Sequence, residues 1–302
     1  MHVQGKKVFL GLSGGVDSAV SAALLKGQGA QVIGVFIQGW YPPGMPCTWA
    51  EDRRDAMRVA AHLQIPFLTL DASSEYKKGV IDYLLAEYAA GRTPNPDVMC
   101  NKEVKFGVFY DFAMAHGADC IATGHYVSGE KDQRYFLWAV PKEVLGKTVF
   151  PVGNMEKSDV RRLAKQFGLP VSGKPDSQGV CFLGSVSVKE FLRQELGEDA
   201  ALLHTVGERV DGKFVVGKEG GHLVLSDTPC AIPHDIRFRD ANWFLDSSKI
   251  TSAQVRYRSP HIPGRVSGST FVPAEPLTEP IAPGQSVVFY DGGEMAGGGI
   301  ME

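Results

Sequence analysis

The chain has 302 residues, enough to bury a large core and to hold two or more domains. Hydrophobic residues make up 44% and charged residues 22%, a composition that excludes a disordered or fibrous protein. The net charge of −3 supplies no global field for nucleic acid, so any RNA binding must rest on local basic patches. No apolar stretch reaches the length of a membrane span, and Met1 to Lys7 runs directly into the first strand, so a cytoplasmic location is expected. In that compartment the five cysteines (Cys47, Cys100, Cys120, Cys181 and Cys230) are not a disulfide framework. No pair has Cys-x-x-Cys spacing, which argues against a structural zinc site, and no metal-ligand set is expected.

Val8 to Leu12 is an apolar run, followed by the turn Gly11-Leu-Ser-Gly-Gly-Val-Asp-Ser18 and a helix from Ala19 to Leu25. Gln31 to Ile37 reads as a strand buried in a parallel sheet, Trp49 to Leu63 as an amphipathic helix, and Phe67 to Leu70 as a third strand. Ser73 to Ala90 predicts another helix, with Ser73 or Ser74 as its cap. Gly91 to Phe106 contains a loop stiffened by two prolines, and a helix is expected from about Asn101, leaving Cys100 just before it. Asp119 to Gly124 is a fourth strand. This alternation predicts a doubly wound α/β parallel sheet, with ligand loops converging after Leu12, Ile37 and Thr123. A helix from Ser158 to Phe167, a Gly- and Pro-rich loop from Gly168 to Gly184 carrying Cys181, and a short helix from Lys189 to Leu196 complete this part. After about Leu202 the texture becomes β-branched alternation broken by Gly and Pro, which predicts an antiparallel sheet or small barrel. In an extended reading of that region, Arg256 and Arg258 share one face. The expected domains are 1–200, 201–238 and 239–302.

The strand–turn–helix at Gly11 to Ser18 suits an anion, because glycines admit close backbone approach and a helix N-terminus offers N–H groups. It lacks the spaced glycine and terminal Lys of a Walker P-loop and is not a dinucleotide fingerprint. Ser-Gly-Gly-x-Asp-Ser instead resembles the signature of the ATP pyrophosphatases (the PP-loop type), which cleave ATP to AMP and pyrophosphate while adenylating a substrate. A glycine-rich turn with no ligand is the plainer alternative. Cys100, before the expected helix and near Lys102 and Lys105, has reason to favour the thiolate, or else it simply fills a turn. Cys120, inside an apolar strand, fits the filler role better. Adenylation of a carbonyl oxygen creates AMP as a leaving group that a sulfur nucleophile can displace. A persulfide on one cysteine, opened by a second thiol, would release its outer sulfur and leave a disulfide for a reductant to reopen.

A wider set of motifs accompanies the turn: Gly91-Arg-Thr-Pro-Asn-Pro-Asp-Val-Met-Cys-Asn-Lys-Glu-Val-Lys-Phe106, Ala122-Thr-Gly-His-Tyr126, Lys131-Asp-Gln-Arg-Tyr-Phe-Leu137, Asp176-Ser-Gln-Gly-Val-Cys-Phe-Leu-Gly184, Val255-Arg-Tyr-Arg258 and Pro283-Gly-Gln285. Together they resemble the tRNA-uridine 2-sulfurtransferases, or tRNA-specific 2-thiouridylases, over most of the chain. The resemblance implies a PP-loop sheet, a reduced central region and a C-terminal β-barrel-like domain. It implies ATP-dependent 2-thiolation of the wobble uridine, position 34 of tRNA, with ATP and Mg²⁺ as cofactors and a relay protein or cysteine desulfurase as persulfide donor. By it, Gly11, Leu12, Ser13, Gly14, Gly15, Val16, Asp17 and Ser18 bind ATP with support from Ile37 and Gly124. Cys181 would carry the persulfide, and Cys100 would form a transient disulfide with it. Asn95, Pro96 and Asp97 would border the target base, with Asp97 the acid/base candidate. His125, Lys131, Asp132, Gln133, Arg256, Tyr257 and Gln285 would touch tRNA.

The chain departs from that family in two places. Only Val127 to Glu130 separates the Gly-His-Tyr and Lys-Asp-Gln motifs, and the region from Leu202 to Phe238 is short and lacks a Thr-Ile-Gly-Gln-Arg stretch. Two other readings compete. One is a different ATP pyrophosphatase, such as an amidotransferase-type synthetase or an iron–sulfur tRNA cytidine sulfurtransferase, although the cysteines are scattered. The other is a non-catalytic tRNA-binding module that keeps ATP as a structural ligand.

Overall fold

The computed structural model describes residues 2–42, 49–175, 188–197, 203–219, 222–229, 232–278 and 280–302. Cys47, Cys181, Cys230 and the expected loop from Asp176 to Gly184 lie outside the described residues. The chain divides into two compact units, one of Met1–Gly79 with Cys100–Ser185, the other of Val80–Met99 with Val186–Glu302.

In the first unit, β1 (Lys7–Gly11), β2 (Gln31–Gln38), β3 (Phe67–Asp71), β4 (Cys120–Ala122) and β5 (Thr148–Val149) form a parallel sheet in the order β3-β2-β1-β4-β5. Val8, Phe9 and Leu10 of the central strand are all buried, which is why the segment reads as a continuous apolar run. Helices α1 (Val16–Gly27) and α2 (Trp49–Leu63) contribute Ala19, Val20, Ala22, Ala56, Val59 and Ala60 to one core with Val8, Leu10 and Leu12. Small side chains there let the helices approach the sheet. Strand order reverses between β1 and β4, so a crevice opens beyond their carboxyl ends. The two-residue β5 was not expected, being too short to show a period.

Three local expectations are corrected. The helix after β3 is capped by neither Ser73 nor Ser74: its N-cap is Ala72, and Asp71 just before it accepts from Ser73 N through Oδ1 at 3.0 Å. Wide π-type turns interrupt this helix at Lys77–Asp82 before it resumes at Tyr83–Ala89. The next helix begins at Pro96, not near Asn101, running through Pro96–Met99 into a second wide-turned stretch, Cys100–Val108. Asn95 supplies the side-chain acceptor for Val98 N at 3.3 Å, and Pro96 loses nothing at a position where its missing N–H has no partner. Cys100 therefore lies inside the helix, 5% exposed, and Asn101 is buried with its Nδ2 donating to the Phe136 carbonyl at 3.0 Å.

In the second unit, β6 (Arg209–Val210), β7 (Lys213–Glu219) and β8 (His222–Ser226) form a small antiparallel sheet. Asp211 and Gly212, both at positive φ, make its first turn. Strands β9 (Ile236–Trp243), β10 (Ser252–Gln254), β11 (Ile262–Ser267), β12 (Thr270–Pro273), β13 (Ser286–Asp291) and β14 (Glu294–Met301) close into a barrel. Ile236, Phe238, Ala253, Phe271, Val287, Phe289 and Ala296 fill it. Arg256 and Arg258 do not share a strand face. The strand stops at Gln254, and Ser259 Oγ fastens a turn by donating to Arg256 O at 2.9 Å and accepting from Arg256 N, leaving Arg258 at positive φ.

Phe289 is fully buried, stacked on Trp243 at 5.2 Å and tilted against Phe238 at 4.9 Å. Phe289→Ala is expected to lower barrel stability by about 3–5 kcal/mol, read from the chemical-denaturation midpoint.

Candidate active site

The turn between β1 and α1 is built from backbone and two serines. Ser13 N donates to Ser18 Oγ at 3.2 Å, Ser18 Oγ donates to Gly15 O at 3.1 Å, and Gly15 N reaches Ser13 Oγ at 3.4 Å. Gly15 is the N-cap and brings no side chain to the first turn of α1. Gly14 has a φ of +79°, and a Cβ on it would lie 2.3 Å from the Asp52 carbonyl oxygen at the start of α2. Gly124, beyond β4, is also closely packed, since a Cβ there would lie 3.0 Å from Ser18 N. Leu12 N donates to Val35 O at 2.8 Å, and the Ile37 side chain lies beside Gly11. The loops expected to converge after Leu12 and Thr123 thus meet, with β2 alongside.

Asp17, on the first turn of α1, is held by two partners far away in sequence. Lys157 Nζ lies 2.6 and 2.9 Å from its two carboxylate oxygens, and Tyr126 Oη donates to Oδ1 at 2.8 Å. Lys157 opens the helix Lys157–Gln166, whose Val160 and Ala164 pack into the same core as α1. Nothing local marked Lys157, because its partner is 140 residues distant. A second clip joins Lys174 Nζ to Asp52 Oδ1 at 2.8 Å and Asp55 Oδ2 at 2.7 Å, while Arg161 Nη1 donates to the Lys174 carbonyl at 3.1 Å. It fixes the backbone shortly before the stretch that carries Cys181.

His125 is packed between the Phe106 and Phe150 rings, and its Nδ1 meets Thr123 Oγ1 at 2.8 Å. Although part of its surface reaches solvent, the dense apolar surroundings, helped by the Lys105 cation, push its pKa down to about 3. The imidazole is neutral at physiological pH and offers no positive charge to a phosphate. Gln133 closes the short turn after His125 by exchanging two hydrogen bonds with the Tyr126 backbone, at 3.0 and 2.9 Å. Asp132 holds Arg134, with Oδ2 2.6 Å from Nη2, and Lys131 is half-buried next to it.

The second unit carries Asn95, Pro96 and Asp97, all half-buried, and also Arg256, Tyr257 and Gln285. A cavity of about 390 Å³ brings Arg256 and Gln285 together with Thr93 of the proline loop, Ala282 and the turn from Thr205 to Glu208. Tyr257 carries the Arg258 guanidinium 5.1 Å from its ring centre. Glu87, 6% exposed, receives Arg92 through Nε at 2.7 Å and Nη2 at 2.6 Å, and Arg239 of β9 at 3.0 and 3.1 Å. Arg92, and then Arg239, hold its carboxyl below the usual range against the opposing effect of burial.

Two substitutions test the first unit. Lys157→Met leaves Asp17 without its cation and is expected to cost about 1 kcal/mol, the pair being partly solvent-screened, read as a fall in thermal midpoint. For His125, the unfolded imidazole takes a proton near pH 6.5 and the folded one only near pH 3. Folding stability is therefore full above about pH 6.5 and falls by up to about 1.4 kcal/mol per unit as pH drops through that window. Denaturation midpoints between pH 7.5 and 5 should fall less steeply for His125→Gln than for the parent.

Comparison with known proteins agrees with this layout. The tRNA methyl transferase HUP domain family matches residues 6–185, and the aminomethyltransferase beta-barrel domain family matches residues 233–301. The tRNA-specific 2-thiouridylase of Streptococcus pyogenes serotype M3 is 39% identical over 358 aligned positions, covering 98% of this chain and 95% of that protein. The enzyme of the same name from Geobacillus thermodenitrificans is 39% identical over 350 positions, covering 98% and 94%. Because this chain has 302 residues, at least 56 of the 358 positions in the streptococcal alignment have no counterpart here. That agrees with the shortened segments noted above. Among solved structures, the U34-tRNA thiolase from Methanococcus maripaludis is 18% identical with a TM-score of 0.41, covering 67% of this chain and 71% of that one. Likeness at that level adds nothing to the family match. With 39% identity sustained over 98% of its length, the chain belongs to the tRNA-specific 2-thiouridylase family.

Proposed function

We propose that the chain is an ATP-dependent tRNA sulfurtransferase that replaces the C2 oxygen of the wobble uridine with sulfur. The observation that carries this reading is the identity to tRNA-specific 2-thiouridylases over nearly the whole chain. It is supported by a β1–α1 turn shaped as an anion cradle at the topological switch point. In this reading the backbone from Gly11 to Ser18 takes the ATP phosphates, with Ile37 and Gly124 beside the nucleotide. Mg²⁺ bound with ATP would find an oxygen ligand in Asp17 and would neutralise charge on the departing pyrophosphate. Lys157, already at hydrogen-bond distance from Asp17, keeps a compensating cation beside the same phosphates.

The uridine O2 attacks the α-phosphorus of ATP, pyrophosphate leaves, and the adenylated O2 becomes part of a good leaving group. The outer sulfur of a persulfide on Cys181 attacks C2, and AMP departs with the original oxygen. The Cys100 thiolate then attacks the inner sulfur of Cys181, and the S–S bond breaks toward the base. The base keeps the transferred sulfur, and a Cys100–Cys181 disulfide remains. A thiol reductant returns two electrons, and a cysteine desulfurase or relay protein reloads Cys181. Asp97 would serve as the acid/base group, and Asn95 and Pro96 would border the base. Arg256, Tyr257, Lys131, Asp132, Gln133 and His125 lie on the tRNA side of this scheme, His125 as a neutral ring. A soluble, cytoplasmic enzyme fits this chemistry.

Purified protein with ATP, Mg²⁺, tRNA and a persulfide donor is expected to form 2-thiouridine, detected by nucleoside mass spectrometry. Cys100→Ser and Cys181→Ser should each abolish product and leave ATP binding intact. If both single variants stay active, the two-cysteine route is wrong. If tRNA binds but neither product nor ATP–pyrophosphate exchange appears, the chain is a binding module.

A further inference from the structure

The proline loop cannot complete its own backbone hydrogen bonding. Pro94 and Pro96 have no N–H, and Thr93 and Pro94 belong to no helix or strand that would pair their carbonyls. Their partner comes from the C-terminal barrel of the same unit: Gln285 Nε2 donates to Thr93 O at 2.7 Å and to Pro94 O at 3.2 Å. A primary amide nitrogen carries two protons, enough to serve both carbonyls. In the reverse direction, Thr93 N donates to Pro283 O at 2.8 Å.

Gln285 is itself rigidly placed. Ala282-Pro-Gly-Gln285 is a tight turn closed by Gln285 N to Ala282 O at 3.1 Å, with Gly284 at φ +90° as such a turn requires. Gly284 N and Gln285 O bond to the Met301 backbone, at 2.8 Å each, tying the turn to β14. A Cβ on Gly284 would lie 2.9 Å from Thr93 N and 3.0 Å from Arg92 Cβ, so turn and loop are in van der Waals contact with no space between them. One residue earlier, Arg92 is pinned to Glu87, which Arg239 of the barrel also grips.

We propose that Gln285 is a positioning residue that holds the loop leading into Asn95, Pro96 and Asp97, so that the barrel templates the target-base loop as well as any grip on RNA. This rests on the thiolation reading above for the identity of the base, and on geometry alone for the bracing. Family resemblance assigns Gln285 to RNA; here its amide nitrogen is engaged by the protein's own carbonyls.

The test uses the full chain and two variants. Gln285→Glu keeps the shape but sets a carboxylate against two carbonyl oxygens, and Gln285→Ala removes the donor without adding charge, so it carries the test if the first variant folds poorly. Without RNA present, hydrogen–deuterium exchange of peptides covering Glu87 to Val98 should speed up about tenfold in either variant. Single-turnover thiolation at saturating tRNA should slow about tenfold while tRNA affinity stays within about threefold of the parent. Unchanged loop exchange in both variants would overturn the bracing. A loss confined to tRNA affinity, with the saturated rate kept, would make Gln285 an RNA contact and overturn the positioning role. Should the parent chain make no 2-thiouridine at all, the proposed function fails, while the RNA-free exchange still decides whether Gln285 holds the loop.

Discussion

The backbone between β1 and α1 passes its neighbours at distances that leave no room for a side chain. At Gly14 the obstacle is the first turn of α2, and at Gly124 it is the first turn of α1. Gly14 is a requirement of packing before it is a feature of a ligand site, and Gly124 leaves its neighbours little slack. Once α1 is pressed against the ends of β1 and β4, its first-turn amides open onto the crevice that the strand order creates. The serines complete the turn by bonding to one another and to its backbone, so the cradle is preorganised. Preorganisation of this kind is what lets a phosphate site act without reorganising at the moment of reaction.

Charge near the cradle is balanced by residues from distant parts of the chain. Lys157 and Tyr126 hold Asp17, and Lys174 joins two carboxylates of α2 next to the Gly14 contact. Lys157 thereby ties the start of its helix to the nucleotide turn, and Lys174 ties the chain after that helix to α2. The second unit solves a different problem. A loop with two prolines is stiff but short of hydrogen-bond donors, and the barrel turn at Ala282 to Gln285 supplies them.

Local sequence signals were reliable where one short stretch contained the whole cause. The glycine-rich turn, the apolar run of β1 and the amphipathic helix from Trp49 to Leu63 all follow from spacing and conformational preference. The signals failed where a competing local preference was stronger. Asn95 with Pro96 out-competed Asn101 as a helix start, which moved Cys100 into the helix, and Ser259 ended the strand that would have aligned Arg256 with Arg258.

The amino-acid sequence by itself determined the α/β-then-barrel order, the nucleotide-type turn and the family motifs, because each is written in contiguous residues with a fixed period or spacing. Only the tertiary structure decided that Lys157 and Tyr126 share Asp17, that His125 is neutral between two phenylalanine rings, and that Gln285 holds the loop before Asn95. Those outcomes depend on which groups are brought together and shielded from water, and partners that are distant along the chain, 109 positions for Tyr126 and Asp17 and 192 for Gln285 and Thr93, carry no trace of that in their neighbours.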